Sequence, residues 1–169
     1  YDYRGKLVIP GLIDLHIHAP QYAFRGTGMD LELLDWLNQR TFPEESRYED
    51  LEYARRAYEI FAEELKNGAT TRACVFGTLH VPATELLMDL LEETGLKTFV
   101  GKVNMDRNCP TYLTEKSAEE SAENTRRWIE DCRGKYHNTQ PILTPRFTPS
   151  CTDGLMFRLG ELQREYNLP

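Results

Sequence analysis

Hydrophobic residues recur at two spacings along the chain, and the two kinds of stretch alternate. Four short stretches carry β-branched and aromatic residues in a way that is typical of strands. They are residues 12–18, 70–76, 97–105 and 140–147. In five other stretches, leucine and aromatic residues return every three or four positions, which predicts helices. These are residues 30–40, 47–66, 84–94, 117–135 and 153–167.

A strand followed by helical sequence, four times in succession, predicts a parallel sheet with crossover helices. The predicted fold class is α/β, a (β/α)8 barrel, and residues 10–169 would form about its first four βα units. A whole barrel takes about 250 residues, so we expect a piece of a longer protein, with a strand at residues 6–9 leading in. A four-stranded doubly wound sheet is the alternative. It is disfavoured because no glycine-rich phosphate turn follows the first strand.

The charge balance and the cysteines narrow the classes of function. The chain has 20 Lys and Arg against 27 Asp and Glu, a net charge of -7, and no basic block that could follow nucleic-acid phosphates. We expect neither a membrane span nor a signal peptide, because no apolar stretch has the required length. The four cysteines lack the C-x-x-C spacing, which predicts reduced thiols. We therefore expect a cytoplasmic protein with no nucleic-acid or membrane partner.

Polar residues stand at unexpected positions in the first strand. Strand alternation predicts that Asp14, His16 and His18 share one face, while the apolar residues between them share the other. Two neutral imidazoles two residues apart can bind one metal ion, and the end of a first barrel strand is where barrel enzymes place their chemistry. A pair of hydrogen-bonded histidines on a half-exposed strand is the alternative.

The run from Pro10 to His18, PGLIDLHIH, resembles the first-strand signature of the amidohydrolase superfamily. Further strings resemble, in the same order, the guanine-deaminating members of that superfamily. These strings are HAPQY at 18–22, LLDWL at 33–37, TFPEE at 41–45, NGATT at 67–71, GKVNMD at 101–106 and TPRF at 144–147. The resemblance implies a (β/α)8 barrel, with residues 1–9 arriving from a small β-sandwich domain.

The resemblance also implies a metal site and an activity. His16 and His18 would be zinc ligands, and the remaining ligands and the catalytic acid–base groups would lie beyond Pro169. Residues 140–147 contain no lysine that could bridge two metals, which favours one zinc ion per subunit. The implied activity is zinc-dependent hydrolytic deamination of guanine to xanthine and ammonia, in a homodimer. Asp14 is expected to support the fold or to act behind the zinc ligands.

The implied substrate contacts lie after the first and the fourth strands. They are His18, Ala19, Pro20, Gln21, Arg146 and Phe147. Arg146 would donate to the guanine carbonyl oxygen, and Phe147 would provide aromatic surface. Read without the resemblance, Gln21 could be an exposed loop residue and Arg146 a surface ion-pair partner.

Two other functions are compatible with the sequence. Another aminohydrolase of the same superfamily could act on a triazine, a pyrimidine or an adenine-type base. Alternatively, the segment could be a metal-binding fragment without catalytic activity. Trp36 and Phe42 are expected in the core or in a pocket wall, and His80 is expected to make a structural hydrogen bond.

Overall fold

In the computed structural model, which describes residues 1–169, the four predicted strand stretches lie side by side and run parallel. The third and fourth stretches are each divided in two. The strands are β1 (Leu12–His18), β2 (Thr70–Phe76), β3 (Lys97–Gly101), β4 (Val103–Asn104), β5 (Thr139–Pro141) and β6 (Thr144–Pro145). The main sheet has the order β1-β2-β3-β5, and β4 pairs with β6. The strands' carboxyl ends therefore meet at one edge, which we call the rim.

The helices follow the predicted stretches closely. They are α1 (Leu33–Trp36), α2 (Phe42–Ser46), α3 (Leu51–Asn67), α4 (Val81–Thr94), α5 (Ala118–Cys132) and α6 (Asp153–Tyr166). The predicted helix at 30–40 begins later and extends further, because a π-helical turn at Leu37–Thr41 joins α1 to α2. Pro43, which has no N–H to donate, follows that turn. No helix combines the length and the apolar composition needed to cross a membrane.

Side-chain caps explain where α3 and α5 begin. The Asp50 carboxylate accepts hydrogen bonds from the backbone N–H groups of the next turn, so α3 starts at residue 51 rather than 47. Ser117 does the same for the N–H of Glu120, as its sequence spacing predicts. Gly95 ends α4 in the left-handed conformation, with φ of 74°.

The main core lies between the sheet and helices α3, α4 and α5. Ala73 and Val75 of β2 and Val100 of β3 face these helices, where they are buried against helical side chains. The helical core side chains include Tyr58, Phe61, Leu87, Met88 and Trp128. Alternate residues of β2, such as Cys74 and Phe76, therefore turn to the opposite side of the sheet, which would be the interior of a barrel.

The simple alternation predicted for the first strand is wrong. Asp14 pairs with Ala73 and Ile17 pairs with Val75, so Leu15 and His16 together stand opposite the single residue Cys74. This β-bulge moves Asp14 to the helix side of the sheet and leaves both histidines on the interior side. Ile13 and Leu15 also line the interior side, beside Cys74. Bulges depend on the partner strand, so the single-strand pattern could not reveal this one.

Two other strand expectations differ from the structure. Residues 6–9 form no strand; no other strand pairs with them, and Leu7 and Ile9 are exposed. The third predicted strand is interrupted at Lys102, whose buried ammonium group pairs with Glu115 and also donates to the Val103 carbonyl.

Gly101, at the end of β3, lies against the side chain of Thr144 at the start of β6. A Cβ atom at residue 101 would overlap the Thr144 side chain, which is itself held by a hydrogen bond to the Lys102 carbonyl. We expect Gly101→Ala to lower the free energy of unfolding by about 1–3 kcal/mol, as overpacking does. Urea denaturation of the intact protein would measure this loss.

Gly160 in α6 provides the matched control. The atom nearest to a Cβ at residue 160 is in the flexible Arg164 side chain at 3.7 Å, so Gly160→Ala should be neutral or stabilising by up to about 1 kcal/mol. Equal losses in the two variants would contradict the close approach at Gly101.

Candidate functional site

Two imidazoles converge where β1 reaches the rim. The Nε2 atoms of His16 and His18 are 3.2 Å apart, and both rings contact the Phe76 ring, with centroids 4.7 and 4.5 Å away. Two nitrogens that bind one tetrahedral zinc ion at about 2.0–2.1 Å lie about 3.3 Å apart. The spacing of the pair therefore fits a shared divalent ion.

The electrostatic surroundings keep one of these rings neutral. Burial lowers the pKa of His18 to about 3, and the neighbouring charges of Arg146 and His16 act in the same direction. A neutral imidazole has a nitrogen lone pair available at neutral pH, which a metal ligand requires. The His18 environment therefore suits a ligand better than a cationic hydrogen-bond donor.

Asp14 stabilises the backbone beside the pair. Its Oδ1 accepts a hydrogen bond from the backbone N–H of His16 at 3.1 Å, and its pairing with Ala73 places it on the helix side. The chain contains no group of three His, Cys, Asp or Glu side chains arranged to hold a metal. Among residues 1–169, the metal-binding geometry is therefore limited to the two histidines.

A buried carboxylate joins the two polar residues expected to contact substrate. Arg146 Nη1 donates to Glu45 Oε2 at 2.5 Å, and Gln21 Nε2 donates to Glu45 Oε1 at 3.2 Å. The side chains of Arg146 and Glu45 are only 4% and 2% exposed. Arg146 is therefore not a surface ion-pair partner, because its partner is a buried carboxylate contributed by α2.

Burial and ion pairing have opposite effects on the pKa of Glu45. Burial raises the pKa of its carboxyl, while the charge of Arg146 and the hydrogen bonds from Arg146 and Gln21 oppose that rise. Arginine keeps its proton in proteins, so the contact with Arg146 favours the ionised carboxylate. The guanidinium also lies 5.3 Å from the centre of the buried Phe42 ring.

The two histidines, Gln21 and Arg146 face a single hollow of about 750 Å³ at the rim. We call it the rim hollow. It is lined by His16, Ile17, His18, Gln21, Tyr22, Phe24, Arg25, Leu33, Trp36, Leu37, Arg146 and Phe147. Five of the predicted site residues thus meet there, although the chain between His16 and Phe147 includes most of the protein.

Two predicted contact residues do not line the rim hollow. Ala19 is buried in the main core, and Pro20 is buried with its carbonyl accepting a hydrogen bond from the Tyr48 hydroxyl at 3.3 Å. They begin the 3-10 helix Ala19–Phe24, which presents Gln21 to the hollow. Their place in the structure is therefore to support this helix.

Glu45 was not among the predicted site residues, although the TFPEE string that contains it was part of the resemblance. A glutamate after a helical turn gives no local sign of burial, so only its presence in that string could have drawn attention to it.

Trp36 is in the wall of the rim hollow, while Phe42 is in the core. His80 precedes α4 and does not line the hollow; its ring Nε2 has no hydrogen-bond partner, so the expected bond is absent.

Comparisons with known proteins identify the family of this chain. The model described as the amidohydrolase family matches residues 7–169. A guanine deaminase of Dictyostelium discoideum is 44% identical over 165 residues, which are 97% of this chain and 36% of that protein. The guanine deaminase of Escherichia coli K12 is 42% identical over 168 residues, which are 98% of this chain and 37% of that protein.

A solved structure has the same fold. The crystal structure of guanine deaminase from C. acetobutylicum with bound guanine in the active site is 46% identical, with a TM-score of 0.91. The match covers 95% of this chain and 38% of that chain, so this chain spans little more than a third of the relatives it matches. The family match and the structural match confirm the predicted fold class, a partial (β/α)8 barrel.

Breaking the buried ion pair between Glu45 and Arg146 should have a large effect on stability. We expect Arg146→Met to lower the free energy of unfolding by about 3–5 kcal/mol, because Glu45 would remain buried without its charged partner. Urea denaturation of the intact protein would measure the change.

Arg158→Met is the matched control. The Arg158 and Glu119 side chains of this pair are 42% and 64% exposed, so breaking it should change stability far less than breaking the buried pair. A loss at Arg146 no greater than that at Arg158 would contradict the cost expected for leaving the Glu45 charge buried without a partner.

Proposed function

The chain belongs to the amidohydrolase family, and on that premise we propose that it is part of an enzyme that hydrolyses guanine to xanthine and ammonia. The observation that carries the proposal is that His16, His18, Gln21 and Arg146 converge on one hollow at the rim. The sequence around them is 42–46% identical to proteins named guanine deaminase, one of which was solved with guanine in its active site.

His16 and His18 would hold one zinc ion per subunit. The 3.2 Å separation of their Nε2 atoms and the neutral state of His18 support this assignment. When bound, zinc makes a water molecule acidic enough to act as a nucleophile near neutral pH. The further ligands and the groups that move protons to the ring and to the leaving amine would come from outside residues 1–169.

Arg146 and Gln21 would bind the purine beside the metal. Arg146 uses one N–H of its guanidinium on Glu45 and has others that can donate to the carbonyl oxygen of guanine. Phe147 and Trp36 would provide aromatic surface for a flat base. The aromatic and polar lining thus suits a planar heterocycle that carries a hydrogen-bond acceptor.

The wider biological setting is part of the same proposal. We infer a homodimeric enzyme of guanine catabolism in the cytoplasm, with no nucleic-acid or membrane partner. The four unpaired cysteines support a reducing compartment, and the net charge of -7 disfavours binding to nucleic acid.

The reaction can be tested with the purified full-length protein. We expect guanine to disappear and xanthine to form, as measured by ultraviolet absorbance, and we expect a chelator to stop the reaction and added zinc to restore it. Turnover that survives complete metal removal would contradict the role of zinc. If the zinc-loaded protein leaves guanine unchanged, the substrate is wrong, and triazines, pyrimidines and adenine-type bases become the candidates.

His16→Ala should remove bound zinc and turnover together, because one of the two converging nitrogens is lost. Metal analysis and guanine turnover of the full-length variant would measure both losses. His137→Ala is the control, since that histidine is exposed and its bond to Glu92 uses only the backbone N–H. Near-normal zinc content and turnover in His16→Ala would disprove the ligand assignment.

A further inference from the structure

Glu45 contacts two polar residues of the rim hollow, Gln21 and Arg146, without lining the hollow itself. Its side chain is 2% exposed, and its two oxygens are used separately, Oε1 by Gln21 and Oε2 by Arg146. A group that is buried behind two lining residues can affect a ligand only through them. Glu45 therefore has the geometry of a residue that orients others.

The chemistry of a carboxylate fixes which way Gln21 faces. An ionised carboxylate only accepts hydrogen bonds, so the Gln21 amide must turn its NH2 group towards Glu45. Its carbonyl Oε1 is then the acceptor available to a ligand. Without Glu45, either end of the amide could face the hollow.

The same carboxylate limits the freedom of Arg146. One end of the guanidinium is held by Glu45 at 2.5 Å, and Phe42 packs beside the group. The backbone N–H of Arg146 is bonded to the Asn104 carbonyl at 3.2 Å, so both the main chain and the side chain are restrained. The remaining guanidinium N–H groups are thereby presented to the hollow in a fixed direction.

We propose that Glu45 is a positioning residue that sets the hydrogen-bond polarity of the rim hollow, with an acceptor from Gln21 beside donors from Arg146. This inference rests on the proposed function. Guanine matches that polarity, because it carries a carbonyl oxygen for the arginine and ring or amino N–H groups for the amide. An adenine-type base has an amino group in place of that oxygen. Its amino N–H groups would face the N–H groups of Arg146 with no acceptor between them, which lowers affinity. Glu45 thus acts on substrate choice as well as on affinity.

Glu45→Gln in the full-length protein tests this role. The glutamine amide at residue 45 keeps the shape of the glutamate side chain. One of its two polar atoms becomes an NH2 group, which would face Gln21 or Arg146, although both of these residues already donate hydrogen bonds to residue 45. We expect the KM for guanine to rise about 10- to 100-fold, as expected for the loss of a charged hydrogen bond or of precise placement. Zinc content should not change, because Glu45 does not contact the histidines. A KM close to the wild-type value would overturn the proposal.

Glu44→Gln is the matched control on the same helix. Glu44 bonds to Tyr53 and Arg47, neither of which lines the rim hollow, so its replacement should leave the KM unchanged. A purely structural role for Glu45 would lower the melting temperature without a selective change in KM. If Glu44→Gln raises the KM as much as Glu45→Gln does, the effect belongs to the helix and the proposal fails.

A double-mutant cycle shows whether Glu45 acts through Arg146. In an Arg146→Met background, we expect Glu45→Gln to lower kcat/KM much less than it does in the wild type. Fully additive losses would overturn the proposal. If Glu45→Gln does not fold, Glu45→Asp can replace it in the same measurements. The aspartate keeps the negative charge, but its shorter side chain cannot reach both Gln21 and Arg146. If the zinc-loaded wild type does not turn over guanine, the proposed function fails first, and this inference fails with it.

Discussion

Parallel pairing of the strands is the constraint on which the rest of the molecule depends. Helices connect β1 to β2, β2 to β3 and β4 to β5, so the strands run in one direction and deliver their carboxyl ends to the same rim. This arrangement lets the end of β1 and the segment after β6 face one hollow, and it brings Arg146 onto Glu45 from 101 residues away along the chain. The candidate site is thus a product of the sheet topology, since no local segment contains enough of it.

The rim is supported from behind by polar groups as well as by the apolar core. The buried Lys102–Glu115 pair lies beside β4, and the Asn104 amide is 2.8 Å from the hydroxyls of both Ser121 and Thr125 on α5. Since Asn104 also pairs with Pro145 and accepts the Arg146 N–H, this network fixes the backbone that carries the arginine. The polar groups thereby connect α5 to the rim hollow through one short pair of strands.

Features with a local cause could be predicted from the sequence, and features with a distant cause could not. The end of α4 and both limits of α6 follow from apolar periodicity and from capping residues within a few positions, so these predictions were close, whereas α4 begins three residues before its predicted start. The β1 bulge depends on the register with β2, and the burial of Glu45 depends on a strand formed much later in the chain. The resemblance placed His16, His18, Gln21 and Arg146 at the site, but it could not show what holds the last two in place.

Buried ion pairs are weak evidence for stability, because the cost of removing two charges from water often cancels their attraction. Apolar side chains of similar volume at Glu45 and Arg146 could hold α2 against the rim equally well. They could not supply a donor in a fixed direction, nor orient the Gln21 amide. The value of this pair therefore lies in the hydrogen-bonding groups it presents to the rim hollow, where the two imidazoles already offer a place for a metal.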